Sequence, residues 1–222
     1  MKNSKRITAM ILTAILSVVS FSTIAFAADV DYSQWNSQSG YPQDVVGTPL
    51  FTSVKYLIDK KILTGYPDGT FKPSNTITRA EIAVALTKAT NRTSNLDAMA
   101  AKNTFSDLSG YDWAKGYINT AVEAGIFKGI SATSYAPGKN ISYAELVTAL
   151  VRMNPGAASV VESSGTWPNN YIQYVEMYNY LGDVTVTDWN APATRGDTAK
   201  LIYRFLPKKS TTTSAITVNL SI

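Results

Sequence analysis

The sequence contains neither cysteine nor histidine among its 222 residues. Without cysteine the chain cannot form a disulfide framework, a thiolate metal site or a cysteine nucleophile. Without histidine it lacks the most common zinc ligand and the usual general base at neutral pH. Charged residues are also scarce, at 16% against about 25% in an average soluble domain. What remains open is carboxylate chemistry, or binding without any catalysis.

The first 27 residues have the pattern of a secretory signal peptide. Three basic residues among the first six precede an apolar stretch over 7–24, and residues 25–27 read Ala-Phe-Ala, a small-x-small cleavage signal. Cleavage before Ala28 leaves 195 residues and removes three positive charges, so the net charge falls from +4 to +1. A nearly neutral mature chain argues against nucleic acid as a partner. The alternative is an uncleaved membrane anchor, because the stretch approaches spanning length; no other stretch is long enough to span a membrane.

The rest of the chain contains an internal repeat, since residues 54–90 recur 64 positions later without a gap. Eight residues of the first copy are identical in the second: Ile62, Gly65, Pro73, Ile77, Ala80, Glu81, Ala85 and Leu86. A third, more divergent copy carries Thr-Arg-Gly-Asp at 194–197, which matches Thr-Arg-Ala-Glu at 78–81. A unit of about 50 residues is marginal by itself. We therefore expect three units to share one core.

Each unit is predicted to consist of a helix, a turn-rich loop and a second helix, because apolar residues recur at helical spacing. Gly125 lies where a left-handed residue ends the first helix, with Lys61 and Asn179 at the matching positions. The loop at 65–71 reads Gly-Tyr-Pro-Asp-Gly-Thr-Phe, which is typical of turns. Asp68 in this loop lacks regularly spaced oxygen ligands around it. We therefore predict no metal site in this loop. Since the sequence also lacks cysteine and histidine, we predict no cofactor and no catalytic residue.

The second helix of each unit is preceded by a hydroxyl residue, with an acid three positions later. This is the spacing of a capping box, in which each side chain bonds the backbone N–H of the other residue. We predict a structural role in helix capping for all six residues. The pairs are Thr78 with Glu81, Ser142 with Glu145, and Thr194 with Asp197.

Arg79 and Arg195 occupy the first position of their helices, directly after the capping residue. A cation at this position opposes the helix dipole, and a local rule broken twice at one repeat position suggests a function. Free N-terminal amides and a guanidinium together suit an anion such as a carboxylate or phosphate. The alternative is an ion pair with an acid of a neighbouring unit. Tyr143 stands at this position in the second unit, where an anion site would be altered or absent.

These motifs together resemble the surface-layer homology (SLH) repeat. In the first unit the resemblance lies in Gly-Tyr-Pro-Asp-Gly-Thr-Phe-Lys-Pro at 65–73 and Ile-Thr-Arg-Ala-Glu at 77–81. The second unit is similar through Phe-Ser-Asp at 105–107 and Ile-Ser-Tyr-Ala-Glu at 141–145. The third unit is similar through its tryptophan and Thr-Arg-Gly-Asp at 194–197.

The resemblance implies a mainly α fold of three helix-loop-helix repeats. The repeats are expected to form a pseudo-threefold single-chain trimer around a central helical bundle. We place them at 41–91, 104–154 and 165–206, the third being degenerate, with a C-terminal tail at 207–222. The polar or small-residue segments at 91–103 and 154–164 are expected to be linkers.

The resemblance also implies a function. SLH repeats attach proteins to the wall of a Gram-positive-type envelope by binding secondary cell-wall polysaccharide in grooves between repeats, often through a pyruvylated, anionic sugar. The arginine of the family's Thr-Arg-Ala-Glu motif contacts the glycan, which maps onto Arg79 and Arg195. We therefore expect a secreted protein of the cell wall or surface layer, with wall polysaccharide and other envelope proteins as candidate partners.

Aromatic rings would supply the flat apolar surface that a sugar needs. Tyr66, Trp113 and Trp167 are the candidates, and Tyr143 is a further candidate for stacking in the second unit. The alternative for the first three is packing in the core, which is the more frequent role of aromatic residues on helices.

Two other classes of function remain open. An adaptor protein would bind another envelope protein, with its glycan grooves partly decayed. A glycan-active enzyme would need two carboxylates at a suitable separation. No acidic pair in the sequence stands apart from a capping or surface role, so we expect a binding protein rather than an enzyme.

Overall fold

The computed structural model describes residues 40–207, and within them the chain forms eight helices and no strand. These are α1 (Phe51–Asp59), α2 (Arg79–Ala89), α3 (Leu96–Ala100), α4 (Asp112–Glu123), α5 (Tyr143–Arg152), α6 (Pro155–Ser164), α7 (Asn169–Met177) and α8 (Arg195–Phe205). The predicted mainly α fold is confirmed. None of these helices has the length and apolar character needed to cross a membrane. The predicted signal peptide and all but the first residue of the tail lie outside the described residues.

The second helices of the three predicted units, α2, α5 and α8, build the centre of the core. They are rich in Ala, Leu, Ile and Val, and most of their residues are buried. Side chains from all three helices belong to one hydrophobic cluster: Ile82, Ala83, Leu86, Leu146, Leu150, Ala199, Leu201 and Ile202. The main hydrophobic core is therefore shared between units, as the size of a single repeat requires.

The first helix of each unit packs on the second helix of a different unit. Helix α4 contacts α2, α7 contacts α5, and α1 contacts α8. These contacts lead from the first unit to the second, from the second to the third, and from the third back to the first. The packing is thus a closed cycle of neighbours, while threefold symmetry itself stays a prediction.

The predicted left-handed residues end the first helices. Lys61, Gly125 and Asn179 have φ values of 56°, 73° and 52°. In each case the next N–H donates to a carbonyl five residues back, as in Ile126 to Ala121 at 2.9 Å. This pattern satisfies carbonyls that a helix end would otherwise leave without a partner. The same left-handed helix end therefore occurs in all three units, and only the second unit has glycine there.

The segments expected to be linkers contain helices instead. Helix α6 lies within 154–164, where the side chain of Asn154 accepts bonds from the N–H groups of Gly156 and Ala157. Asparagine as the cap and Pro155 at the first position are a recognised helix start, and Val161 of this helix is buried. The prediction was wrong because small residues such as alanine were interpreted as linker composition, although they also favour helix.

Helix α3 fills the other predicted linker and lies directly against α4. A Cβ at Gly116 of α4 would come within 2.5 Å of the carbonyl oxygen of Leu96, so this close approach requires glycine. The side-chain amide of Asn119 donates to the carbonyls of Met99 and Lys102 at 2.8 and 3.1 Å. These bonds tie the segment between the first two units to the second unit.

We expect residues 41–91 alone to show no cooperative unfolding. Core residues such as Ile82 and Leu86 would lose partners from α5 and α8, and the fragment is too small to replace them. Thermal unfolding followed by circular dichroism checks this, with the mature chain as the control that unfolds in a sharp transition. A sharp transition of the fragment alone would show that each unit has its own sufficient core.

Candidate functional site

The N-terminal ends of α2, α5 and α8 are bonded to neighbouring units through the backbone. The first two N–H groups of each helix donate to carbonyls of another segment, at 2.8–3.1 Å: Arg79 and Ala80 to Lys139 and Pro137, Tyr143 and Ala144 to Ala191 and Trp189, Arg195 and Gly196 to Asn75 and Pro73. Isolated β-bridges join the same segments: Thr76 with Thr194, Thr78 with Asn140, and Ser142 with Pro192. The expectation of free N-terminal amides at an anion site was therefore wrong.

The third N–H of each helix is capped by a side chain. Thr78 and Ser142 accept from the N–H three residues on, and Glu81 and Glu145 accept in return, which completes two capping boxes. In α8 the hydroxyl of Thr194 also accepts from the third N–H. Its partner acid is an aspartate, one methylene shorter than glutamate, and it accepts from the threonine hydroxyl.

The Arg79 side chain leaves its own helix and enters the second unit. Its guanidinium donates to the carbonyls of Tyr135 and Lys128, both at 3.0 Å, and its Nη1 lies 3.3 Å from Glu145. The guanidinium also lies over the ring of Tyr135, at 4.7 Å from the centroid, and near that of Phe127. Arg79 is only 3% exposed, so its charge is balanced within the protein.

Arg195 repeats this arrangement between the third unit and the first. Its guanidinium donates to the carbonyls of Phe71 and Thr64, both at 3.0 Å, and its Nη1 lies 3.5 Å from Glu81. The rings of Tyr66 and Phe71 lie 4.7 and 4.8 Å from the guanidinium carbon. Both arginines thus make the ion pair with a neighbouring unit that the sequence left open as the alternative.

Tyr143 keeps the same contact without a cation. Its hydroxyl donates to the carboxylate of Asp197, and the residue is 8% exposed. In every case the first side chain of one helix reaches the acid at the third position of the next helix. We name these contacts the N1–N3 ring: Arg79–Glu145, Tyr143–Asp197 and Arg195–Glu81.

The protonation states of the ring follow from its contacts. Burial raises the pKa of Glu145, but bonding to the Ser142 N–H and the charges of Arg79 and Lys139 outweigh it, so the net shift is downward. Burial, together with the bond to Asp197, raises the pKa of the Tyr143 hydroxyl. At neutral pH the glutamate therefore carries its charge and the tyrosine keeps its proton.

Two aspartates hold the loops that receive the arginines. Asp44 accepts from the N–H groups of Phe71 and Lys72 at 2.7 and 2.8 Å, and Asp107 accepts from those of residues 135–136. These bonds orient the loop carbonyls toward the guanidinium groups. The sequence analysis gave Asp44 no role; the available signal was an aspartate recurring 27 or 28 residues before the loop aromatic.

The candidate tryptophans lie on the surface. Trp113 and Trp167 are each 55% exposed, although aromatic residues on helices more often pack inward. The indole N–H of Trp167 donates to the hydroxyl of Thr148 at 2.9 Å, which fixes this ring against α5. Trp167 aligns with Trp113 in the sequence, but Trp113 is the second residue of α4 and Trp167 lies in the turn before α7. The structure thus leaves both rings accessible to a ligand.

Two lysines, the half-buried Lys72 and the exposed Lys139, lie at the edge of the N1–N3 ring. Lys72 lies 4.5 Å from the centroid of Tyr66, the half-buried ring that also contacts Arg195. Lys139 lies 3.2 Å from Glu145, the acid that pairs with Arg79, and its side chain is 55% exposed. The sequence analysis missed both lysines, although the first belongs to the Phe-Lys-Pro motif. Each lysine pairs with an acid, yet its side chain is far more exposed than those of the two arginines.

The acid of the turn-rich loop, Asp68, is engaged by groups of the same loop. Its carboxylate bonds the hydroxyl and N–H of Thr70 and pairs with Lys72 at 2.8 Å. These contacts, that with Lys72 foremost, lower its pKa to about 2. Within residues 40–207 no three acidic, histidine or cysteine side chains come together as metal ligands.

Comparison with known proteins identifies the first two repeats, and the third stays a prediction. The S-layer homology domain matches residues 44–83 and 104–147. The "Middle cell wall protein" of Brevibacillus brevis is 33% identical over 150 residues, covering 68% of this chain and 14% of the relative. The "Surface-layer 125 kDa protein" of Lysinibacillus sphaericus is 29% identical over 204 residues, covering 86% and 16%. The "Cellulosome-anchoring protein" of Acetivibrio thermocellus is 33% identical over 129 residues, covering 56% and 28%. The chain thus spans a small part of each relative.

We expect Arg79→Ala to lower the free energy of unfolding by about 3 kcal/mol, because it removes charge-assisted bonds and leaves two buried carbonyls without a donor. Chemical denaturation of the mature protein measures this. Arg92→Ala is the matched control and should change stability by no more than about 0.5 kcal/mol, since Arg92 is exposed. Equal effects of the two substitutions would contradict a structural role for Arg79.

Proposed function

The chain belongs to the S-layer homology domain family and is a secreted protein of the cell wall or surface layer, and from this premise we propose that it anchors itself to the wall without a covalent bond. The proposed ligand is secondary cell-wall polysaccharide, an anionic glycan of the pyruvylated type, bound in grooves between the repeats. The relatives named for the cell wall, the surface layer and cellulosome anchoring support attachment to the envelope.

The exposure of Trp113 and Trp167 is the observation that carries this proposal. An indole left 55% exposed keeps apolar surface in water that folding would normally bury. The flat face of a sugar ring covers such a surface, while the sugar hydroxyls remain in water or bond nearby polar groups. Exposed rings that align in the sequence of two units suit a glycan site that is used more than once.

The charges at the N1–N3 ring suit the anionic part of the glycan. The side chains of Arg79 and Arg195 are 4% and 6% exposed, so we assign them the role of holding the groove walls and presenting only an edge to the ligand. Lys139 and Lys72 add more exposed positive charge beside them, although each also pairs with an acid. The buried arginines then contribute long-range attraction to a carboxylate of the glycan, and the more exposed lysines can hydrogen-bond to it.

The groove at Tyr143 is proposed to differ from the other two. The contact there joins a neutral hydroxyl to Asp197, so it offers no cation to an anionic sugar. Tyr143 is also mostly buried, which leaves little of its ring for stacking. We therefore assign strong glycan binding to the junctions at Arg79 and Arg195.

The proposal includes no catalytic step. The carboxylates nearest the ring are engaged in capping boxes and ion pairs, as with Glu81 and Glu145. A glycosidase would need one of its acids free to donate a proton and the other free to attack or to activate water. Binding alone accounts for the residues at this site.

Binding to another envelope protein is the second candidate function. Ile130, Val160 and Met177 are 58%, 65% and 77% exposed, and exposed apolar side chains are common at protein interfaces. One relative bears the name "Cellulosome-anchoring protein". In this alternative the repeats present a partner protein on the wall in addition to, or in place of, holding the glycan.

We expect the mature protein to sediment with purified sacculi and to lose this binding when the wall polysaccharide is extracted. Trp113→Ala and Trp167→Ala should each weaken binding roughly 5- to 30-fold, equivalent to about 1–2 kcal/mol. Tyr178→Ala is the control, because it removes an exposed ring, 43% accessible, from another part of the surface. Circular dichroism of each variant establishes that it is folded.

The two candidate functions give different results in this assay. Binding that survives polysaccharide extraction but is lost when sacculi are treated with protease would indicate a protein partner. Unchanged sedimentation of both tryptophan variants, with the polysaccharide still required, would mean that the glycan contacts other residues and that the proposed site is wrong.

A further inference from the structure

A second concave site lies where α2, α5 and α8 end, at the opposite ends of these helices from the N1–N3 ring. It is a cleft of about 570 Å³, within the usual range for small-ligand sites. The residues that matter here are Asn91, Arg92, Asn154, Tyr174, Tyr180 and Phe205, all of which line the cleft. The first two follow α2, the third follows α5, and the last lies on α8. Each predicted unit thus contributes to one cavity.

We propose that this cleft binds uncharged sugar residues of a saccharide chain. The inference goes beyond the proposed wall-anchoring function, because the cleft shares no residue with the N1–N3 ring or with the exposed tryptophans. It rests on three independent features: an unpaired cation, a row of aromatic rings and the polarity of three helix ends.

Arg92 is the unpaired cation. Among the arginines of residues 40–207, the other four each contact a carboxylate, whereas Arg92 has no ion pair and its side chain makes no hydrogen bond. No aspartate or glutamate lines the cleft. Its guanidinium donors are therefore free for acceptor oxygens of a ligand, and sugar hydroxyl and ring oxygens are such acceptors.

Aromatic rings form one side of the cleft. The rings of Phe205 and Tyr180 stack with centroids 4.1 Å apart and an interplanar angle of 18°. Tyr174 continues the row, 6.1 Å from Tyr180 at 20°. Two tyrosines and a phenylalanine at one cleft combine apolar contact with hydroxyl groups that can hydrogen-bond, and this combination suits a sugar.

The helix ends favour an uncharged ligand over an anion. Helices α2, α5 and α8 all finish at the cleft, so their carbonyl ends give it a partial negative charge. These partial charges oppose the attraction of Arg92 for an anion, while sugar hydroxyls can donate to the carbonyl lone pairs that the capping bonds leave open. Asn154 adds a donor, since its Oδ1 caps α6 and its amide NH₂ makes no bond there. The N1–N3 ring, at the positive ends of the same helices, has the opposite preference.

The test is a titration of the isotope-labelled mature protein with three neutral tetrasaccharides, chitotetraose, cellotetraose and maltotetraose, followed by amide chemical shifts. We expect at least one to shift the signals of Asn91, Arg92 and Asn154 with millimolar affinity, and to leave those of Arg79 unchanged. Arg92→Ala and Tyr174→Ala should each weaken this binding at least about fivefold. Trp113→Ala, which removes an exposed ring that does not line the cleft, should leave it unchanged.

Several results would overturn the inference. The first is an absence of shifts at the cleft with all three sugars up to about 10 mM. The second is a cleft that responds only to an acidic oligosaccharide such as tetragalacturonic acid. The third is a set of nuclear Overhauser contacts between Tyr174 and residues 208–222, which would make the chain's own tail the occupant.

The outcome is separable from that of the proposed function. Trp113→Ala should weaken sedimentation with sacculi and leave the tetrasaccharide shifts of the cleft intact. The tetrasaccharides could bind the cleft while neither tryptophan substitution changes sedimentation. That result would support the cleft and contradict the proposed glycan grooves. If the tryptophan substitutions weaken sedimentation but no tetrasaccharide shifts the signals of the cleft, the proposed function is supported and the cleft inference is wrong.

Discussion

A buried guanidinium at the start of a helix is the constraint on which the rest of this structure depends. The charge of Arg79 or Arg195 is unfavourable there for two reasons, because it loses water and because it lies at the positive end of a helix dipole. The structure resolves both by directing the side chain into the next unit, where two loop carbonyls and a carboxylate receive it. Those carbonyls are in turn oriented by Asp44 and Asp107. The same set of contacts therefore positions the helix starts, the loops and the neighbouring units relative to one another.

The contact at Tyr143 shows what this constraint demands. Arginine paired with glutamate in two places is replaced by tyrosine paired with Asp197 in the third. A charged donor and a long acid give way to a neutral donor and a shorter acid, and the half-buried acid still accepts a hydrogen bond. The requirement is therefore reach and hydrogen bonding rather than charge. If the ligand is the anionic glycan that we propose, this junction has no cation to offer it.

Local features of the fold were predictable from the sequence, and distant contacts were not. The capping pairs and the left-handed Lys61, Gly125 and Asn179 follow from residue type and spacing within a few positions. The partners of Arg79 lie 49, 56 and 66 residues away, so the sequence offered an ion pair between units only as an alternative. The exposure of Trp113 was also out of reach, because helical spacing defines a face but not whether another unit covers it.

The central claim is that the first side chains of α2, α5 and α8 serve mainly to hold the repeats together. It is tested most directly by a double-mutant cycle on Arg195 and Glu81, measured as free energies of unfolding of the mature protein. Arg195→Met removes the charge at similar volume, and Glu81→Gln removes the charge while keeping a side chain that can complete the capping box. The account predicts that the two substitutions are coupled by about 1 kcal/mol or more. Additivity within about 0.3–0.5 kcal/mol would contradict it.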